Sequence, residues 1–120
     1  MRPIIALASG DPAGISPELT ARLLVLEDVK AKARLGVIGD RRVRDDGARI
    51  AGVQLDLQTV APDADLSKEE DRPVFIDLGH LDPASIKRST AAIEGGRFAL
   101  TNYRHALTLA RDGRADAVCF

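Results

Sequence analysis

The sequence has few of the residues on which several classes of protein depend. It contains a single cysteine, Cys119, which excludes an internal disulfide and fits a reducing cytoplasm. Aromatic residues make up only 3% of the 120 residues, so aliphatic side chains must fill the core. Neither sign of charge predominates, since 17 basic residues balance 18 acidic ones. The composition therefore gives no electrostatic reason to expect nucleic acid or an anionic membrane as a partner.

Long apolar runs are also missing. The first apolar run, residues 4–8, has only five residues before Ser9, which is too short for a signal-peptide core or a membrane span. The hydrophobic fraction of 45% is that of globular proteins, and 120 residues are enough for one domain with a buried core. We therefore expect a cytoplasmic protein without membrane association.

Short apolar stretches that alternate with helical patterns predict the fold class. Strands are expected at residues 4–8, 35–38, 53–60, 73–78 and 115–120, helices at about 16–26, 41–51 and 90–112, and an exposed loop at 61–72. Continuous apolar strands are typical of a parallel sheet that helices cover on both faces. The sequence thus predicts a layered α/β/α domain, with no internal repeat and no interdomain linker.

The larger apolar side chains predict which faces of two helices are buried. Ser16 is expected as the N-cap of the first helix, followed by Pro17 at the first helical position. The predicted buried seam of this helix is Leu19, Leu23 and Leu26. The predicted seam of the last helix is Ala92, Ala99, Tyr103, Ala106 and Ala110, with Leu100 and Leu107 beside it. Two adjacent glycines, Gly95 and Gly96, weaken that helix near its start, which predicts close packing there.

The turn between the first strand and the first helix carries the main candidate site. It reads Gly-Asp-Pro-Ala-Gly-Ile-Ser-Pro-Glu over residues 10–18. Gly10 and Gly14 can take backbone conformations that a side chain would forbid, and they allow close approach of a ligand. The segment is neither a Walker A loop nor a GxGxxG fingerprint, and Asp11 and Glu18 place negative charge near the helix amides. Contact with a ribose, an adenine edge or a nicotinamide is therefore favoured over direct pyrophosphate binding; a purely connecting turn is the alternative.

Other reactive side chains give weaker indications. His80 follows a strand but has no second histidine or cysteine at ligand spacing, and His105 is expected to be a surface or packing residue. Cys119 is expected to be a small buried residue on the last strand. The arginines at positions 41, 42 and 44 are interleaved with aspartates, which favours a solvated helix face over a phosphate site. The residues themselves thus identify no catalytic group and no metal ligand.

Two segments resemble the PdxA family, the 4-hydroxythreonine-4-phosphate dehydrogenases of vitamin B6 (pyridoxine) synthesis and their relatives. The first is the opening, residues 4–7 followed by 10–15 and 17–18, which is also similar to the Gly-Asp-Gly-Ile-Gly-Pro-Glu signature of isocitrate and isopropylmalate dehydrogenases. The second is the helix over residues 95–107 with the strand over 113–118, which in the family lead into a Thr-Pro-x-x-Lys-like loop. The family usually has glycine where this sequence has Ser16. The serine side chain puts in doubt only a very close approach of a ligand at that position.

The resemblance implies an α/β domain of the isocitrate/isopropylmalate dehydrogenase-like type, incomplete over residues 1–120, which would be the amino-terminal portion of a longer enzyme. It implies a homodimer that uses NAD to oxidise a secondary alcohol of a phosphorylated hydroxy acid such as 4-phosphooxy-threonine; decarboxylation can follow. Asp11, Gly14 and Ile15 are the implied cofactor-binding residues. The divalent metal (Zn, Mg or Co) that the family uses has its ligands outside this chain, so we expect the 120 residues alone to be inactive.

A second hypothesis comes from a different class of protein. The chain would then be a non-catalytic α/β binding or interaction module that keeps the fold without the catalytic half, because a fold does not by itself imply a function. The sequence after residue 120 in the parent gene would distinguish the two. A Thr-Pro-x-x-Lys loop and dispersed histidines would favour the enzyme, whereas a stop codon would favour the module.

Overall fold

The computed structural model describes residues 2–66 and 72–120. In this part of the chain, five strands alternate with four α-helices and one 3-10 turn. In chain order they are β1 (Ile4–Ala8), α1 (Ser16–Leu24), α2 (Glu27–Lys32), β2 (Arg34–Gly39), α3 (Arg41–Ala51), β3 (Gln58–Val60), β4 (Val74–Asp77), the 3-10 turn (Pro83–Ser85), α4 (Ile93–Arg111) and β5 (Ala117–Cys119). None of the described helices has the length and apolar character needed to cross a membrane.

The strands form one parallel sheet in the order β3-β4-β2-β1-β5. Alternate residues along each strand point to opposite faces, and they belong to two different core clusters. Ala6, Ile38 and Ile76 pack with α4 on one face, whereas Val37 and Phe75 pack on the other with Leu24 of α1. Helices therefore cover both faces, which confirms the predicted α/β/α layering.

The start and the buried face of α1 differ from the prediction. Ile15 occupies the N-cap position and makes no side-chain cap, so the prediction of Ser16 as N-cap was wrong by one residue. The buried residues are Pro17, Ala21 and Leu24. The predicted seam was wrong, because Leu19 and Leu26 are 59% and 47% exposed and Leu23 is only partly buried.

Close packing against α3 explains this choice of face. A Cβ atom at Gly47 of α3 would lie 2.3 Å from the carbonyl oxygen of Pro17, so the two helices approach each other at a glycine. A contact this close requires small side chains, which the alanine and proline of α1 provide and its leucines do not. Asp40 caps α3, and its side chain accepts a hydrogen bond from the Arg42 amide.

The α4 seam was predicted correctly only in part. Its buried residues are Gly95, Phe98, Asn102, Ala106 and Leu109. Of the predicted seam, Ala106 is buried and Tyr103 is partly buried against the core, while Leu100 and Leu107 are exposed. Cys119 is exposed rather than buried, because it lies on β5, an edge strand of the described sheet.

Two predicted segments are shorter or less exposed than expected. Residues 53–60 show the predicted alternation of burial, but only Gln58–Val60 pair as a strand. In the predicted loop, Leu66 is buried, and the Arg34 side chain donates to its carbonyl oxygen at 2.7 Å. Residues 67–71 of that loop, which include the acidic residues 69–71, lie outside the described residues.

Candidate functional site

The carboxyl ends of β1, β2 and β4 meet at one edge of the sheet. They are followed by the 11–15 turn (Asp-Pro-Ala-Gly-Ile), by Asp40, and by a loop containing His80. Open α/β sheets bind their ligands at this edge. The chain order of β1, turn and α1 matches the prediction for residues 4–18.

The 11–15 turn is organised by hydrogen bonds from its own residues. Asp11 Oδ1 accepts from the Ala13 amide at 2.9 Å, and the Gly14 amide donates to the Asp11 carbonyl at 3.2 Å. The Gly10 amide donates to the Ser16 hydroxyl at 2.9 Å, so the serine expected to cap the helix instead closes the loop. Asp11 thereby organises the turn.

Two further contacts hold the turn from outside. A Cβ atom at Gly95 would lie 2.6 Å from Asp11 Oδ1, so α4 packs directly against the Asp11 carboxylate. The Ser89 amide donates to the Ala13 carbonyl at 2.8 Å, and Ser89 adopts a left-handed conformation with φ of 59°. Such a conformation is costly for a residue other than glycine and persists only where surrounding contacts impose it. The close packing predicted for the glycine pair is confirmed at Gly95, whereas Gly96 is open.

The structure brings Asp11, Gly14 and Ile15 together in this one turn. Neither Gly10 nor Gly14 has a positive φ, and the nearest atom to a Cβ at Gly14 would be 3.7 Å away. The expectation that these glycines adopt conformations forbidden to other residues was therefore wrong. Gly14 is exposed, and Ile15 is 73% exposed.

A hydrogen-bonded chain of three residues connects the residue after β1, α4 and the loop after β4. Asn102, which is fully buried, donates from Nδ2 to the Ser9 carbonyl at 3.0 Å, so its Oδ1 faces His80 Nε2 at 2.9 Å. Because amide oxygen only accepts, His80 must carry a proton on Nε2. The ring stacks on Phe98 at 4.5 Å between centroids, and burial lowers the pKa of His80.

Sequence reasoning gave His80 little weight and missed Asn102. No signal in the sequence marks Asn102, because a polar residue on a helix is expected to face solvent. An open depression of about 270 Å³ lies beside His80 and is also lined by Leu81, Glu94, Arg97, Phe98 and Thr101. The loop after β4 therefore contributes His80 to this edge of the sheet, linked through Asn102 to Ser9.

Asp40 is the most strongly perturbed acid of this edge. Burial raises its pKa, but hydrogen bonds from the Arg42 side chain and from the Leu81 and Arg42 amides outweigh burial and lower it to about 2. Arg42 lies 3.0 Å from the carboxylate, and nearby Arg41 and Arg44 pair with aspartates. These pairs support the predicted helix face of charged residues over a phosphate site.

The described residues do not fit a metal ion. No group of three His, Cys, Asp or Glu side chains is placed to ligate one within residues 2–66 and 72–120. His80 also faces Asn102, an amide, rather than a second ionisable ligand.

The fold of the chain is that of an α/β protein with known structural relatives. A crystal structure titled as a 4-hydroxythreonine-4-phosphate dehydrogenase from Burkholderia phymatum matches 99% of this chain with a TM-score of 0.85 and 26% identity, over 36% of its own length. A terephthalate 1,2-cis-dihydrodiol dehydrogenase from Burkholderia xenovorans matches 98% of the chain with a TM-score of 0.73 and 28% identity, over 33% of its length. The predicted fold class is confirmed.

Curated relatives are similar to the chain over nearly its whole length. A Rhizobium meliloti protein provisionally named 4-hydroxythreonine-4-phosphate dehydrogenase 2 is 59% identical over 99% of this chain and 34% of its own length. A D-threonate 4-phosphate dehydrogenase from Cupriavidus necator is 31% identical over 98% of the chain and 35% of its length. No family model matches. The predicted resemblance to the PdxA family is confirmed, for a chain that spans about 35% of the length of its homologues.

Proposed function

We propose that this chain is part of an NAD-dependent dehydrogenase and that the 11–15 turn forms part of the wall of its NAD pocket. The proposed reaction is oxidation of the secondary alcohol of a phosphorylated hydroxy acid. The relatives support this class of substrate, since they are named for 4-hydroxythreonine 4-phosphate and D-threonate 4-phosphate. Decarboxylation, a divalent metal, a homodimer and a cytoplasmic location are further parts of the proposal that rest on the family resemblance.

The observation that carries the proposal is an exposed apolar side chain on an immobilised turn. Ile15 is 73% exposed, although the turn before it is held by Ser16, Gly95 and Ser89. Exposure of one large apolar residue is common on protein surfaces. Here, however, the residue lies on a turn fixed by contacts from two other segments, at the edge where α/β sheets bind ligands.

The residues of the turn have different proposed roles. Ile15 offers an apolar surface on which a flat adenine or nicotinamide ring rests, and Gly14 keeps its exposed backbone free of a side chain. Asp11 fixes the turn through its bond to the Ala13 amide. When bound, NAD supplies the hydride acceptor. No metal-dependent step is assigned to this chain, because its described residues form no metal site.

The test is Ile15→Ala in the complete polypeptide, with Leu26→Ala as a matched control. Leu26 is also an exposed apolar residue, 47% exposed, but it follows the far end of α1. Loss of the ring contact should weaken NAD binding by about 1–2 kcal/mol, or roughly 5- to 30-fold in KM. The KM for the hydroxy acid should stay unchanged. If Ile15→Ala folds and leaves the KM for NAD at the control value, the turn serves only as a connection.

A further inference from the structure

The side of α4 that faces away from the sheet carries a row of large apolar residues. Ile93, Leu100 and Leu107 follow one another at intervals of seven residues and are 70%, 47% and 44% exposed. The residues of α4 that pack inward are buried on the opposite side of the helix. At 1.5 Å per residue, the exposed row extends over about 21 Å, so three large apolar side chains lie along this side of the helix rather than a single exposed one.

A row of arginines runs beside this stripe at the same spacing. Arg97, Arg104 and Arg111 each lie four residues after a member of the apolar row, and residues four apart are neighbours on a helix. Arg111 pairs with its neighbour Asp112 at 3.0 Å. In the described part of the chain, the side chains of Arg97 and Arg104 make no ion pair. We call the apolar and basic rows together the α4 outer face.

This combination defines the chemistry of a partner. Apolar side chains seven residues apart occupy one position of a heptad and fit the apolar face of a second helix, and the flanking arginines are complementary to carboxylates beside that face. A second copy of this chain does not meet the requirement, because an antiparallel pair of α4 helices would place one arginine row against the other. Such like-charge contacts disfavour the pairing.

We propose that the α4 outer face binds an acidic amphipathic helix supplied by the part of the complete polypeptide that lies outside these 120 residues. The chain corresponds to 34% of the Rhizobium meliloti relative, so about two thirds of such a protein is available to cover this face. This proposal goes beyond the proposed function, because it requires neither NAD nor a metal. It also explains why the leucines predicted to be buried in α4 are exposed in this chain.

Thiol labelling of the complete polypeptide tests the proposal. In a Cys119→Ser background, Leu107→Cys reports on the α4 outer face, and Lys32→Cys, at the exposed end of α2, is the matched control. Protection is the ratio of the maleimide reaction rates in the unfolded and the native protein. We expect at least about 10-fold protection at position 107 and less than about threefold at position 32. A covered thiol reacts only when its covering segment opens, whereas an exposed thiol reacts without any opening. Equal protection at the two positions would overturn the proposal.

Two further measurements identify the source and the charge of the partner. Protection at position 107 should not change with protein concentration; protection that appears only as concentration rises would mean a second molecule and would overturn the assignment. Arg104→Glu should raise the labelling rate at position 107 several-fold, whereas Lys32→Glu should leave it unchanged. If Arg104→Glu leaves the labelling rate at position 107 unchanged, the covering segment does not carry the proposed carboxylates.

Discussion

Replacement of Gly95 by alanine should test how the 11–15 turn is supported. The new Cβ atom would lie 2.6 Å from Asp11 Oδ1 and 3.2 Å from its Cγ, which is closer than van der Waals contact. The carboxylate cannot simply rotate away, because Oδ1 accepts the Ala13 amide at 2.9 Å. The substitution must therefore break that hydrogen bond or push α4 away from the turn.

The expected magnitude follows from two opposing effects. Loss of a hydrogen bond to a charged group costs about 1.5–3 kcal/mol, while replacing glycine by alanine within a helix contributes up to about 1 kcal/mol of stability. Gly96→Ala is a matched control, since it gains the same helix propensity and a Cβ atom there meets nothing within 4 Å. The difference between the two variants should therefore be about 1.5–3 kcal/mol, with Gly95→Ala the less stable.

Urea denaturation of both variants measures this difference. The linear dependence of the unfolding free energy on urea concentration should have the same slope in each, so the midpoints give the comparison directly. An NMR spectrum should also show the Ala13 amide shifted in Gly95→Ala and unchanged in Gly96→Ala. If Gly95→Ala is as stable as Gly96→Ala, the Asp11 carboxylate is not fixed against α4, and the argument for an immobilised turn fails.

Two further predictions concern the buried ionisable groups. Because burial lowers the pKa of His80, NMR should show its ring titrating below the usual value of about 6.5. The unfolding free energy should then fall as the pH drops through this range, since the unfolded chain binds the proton more readily; a midpoint at or above the usual value would contradict this. Asp40→Asn should destabilise the chain by about 2–4 kcal/mol at pH 7, because Asp40 accepts from Arg42 and from the Leu81 amide while fully buried. In the wild type this contribution should be lost as the pH falls from 3.8, the ordinary pKa of the carboxyl, toward about 2, its pKa in the folded chain. An Asp40→Asn variant with the acid denaturation profile of the wild type would refute this prediction.

Most strands and the bounds of α3 follow closely from local patterns, whereas α2 was not predicted and β3 is shorter than expected. The apolar run over residues 4–8 is the strand Ile4–Ala8, and Asp40 and Gly52 bound α3 through an N-cap and a left-handed C-cap. These features depend on residues that are neighbours in the sequence. Their side chains and backbone preferences therefore suffice to predict them.

The buried faces of α1 and α4 could not be predicted in the same way. In α1, contact with Gly47 selects Pro17 and Ala21 over the leucines, and this contact joins segments far apart in the sequence. In α4, Asn102 is buried because Ser9 and His80 satisfy its amide. Amphipathic periodicity does not reveal either partner, and it fails where both sides of a helix are apolar.

The turn that carries the candidate site was predicted in position, but its supports were not. The turn itself follows from the Asp-Pro sequence between an apolar run and a helix start. The contacts of Gly95 and Ser89 with the turn depend on how the long helix and the loop before it pack, which only the three-dimensional structure shows. The left-handed conformation of Ser89 could not be predicted either, because sequence rules assign this conformation mainly to glycine and asparagine.

The most direct test of the proposed function is a nuclear Overhauser measurement on the complete polypeptide with methyl-labelled isoleucine and saturating NAD. The proposal predicts contacts between the Ile15 methyl groups and protons of the adenine or nicotinamide ring. Ile50, which is partly buried on α3, serves as the control and should show none. NAD binding that produces no contact with Ile15 would contradict the assignment of the 11–15 turn to the cofactor pocket.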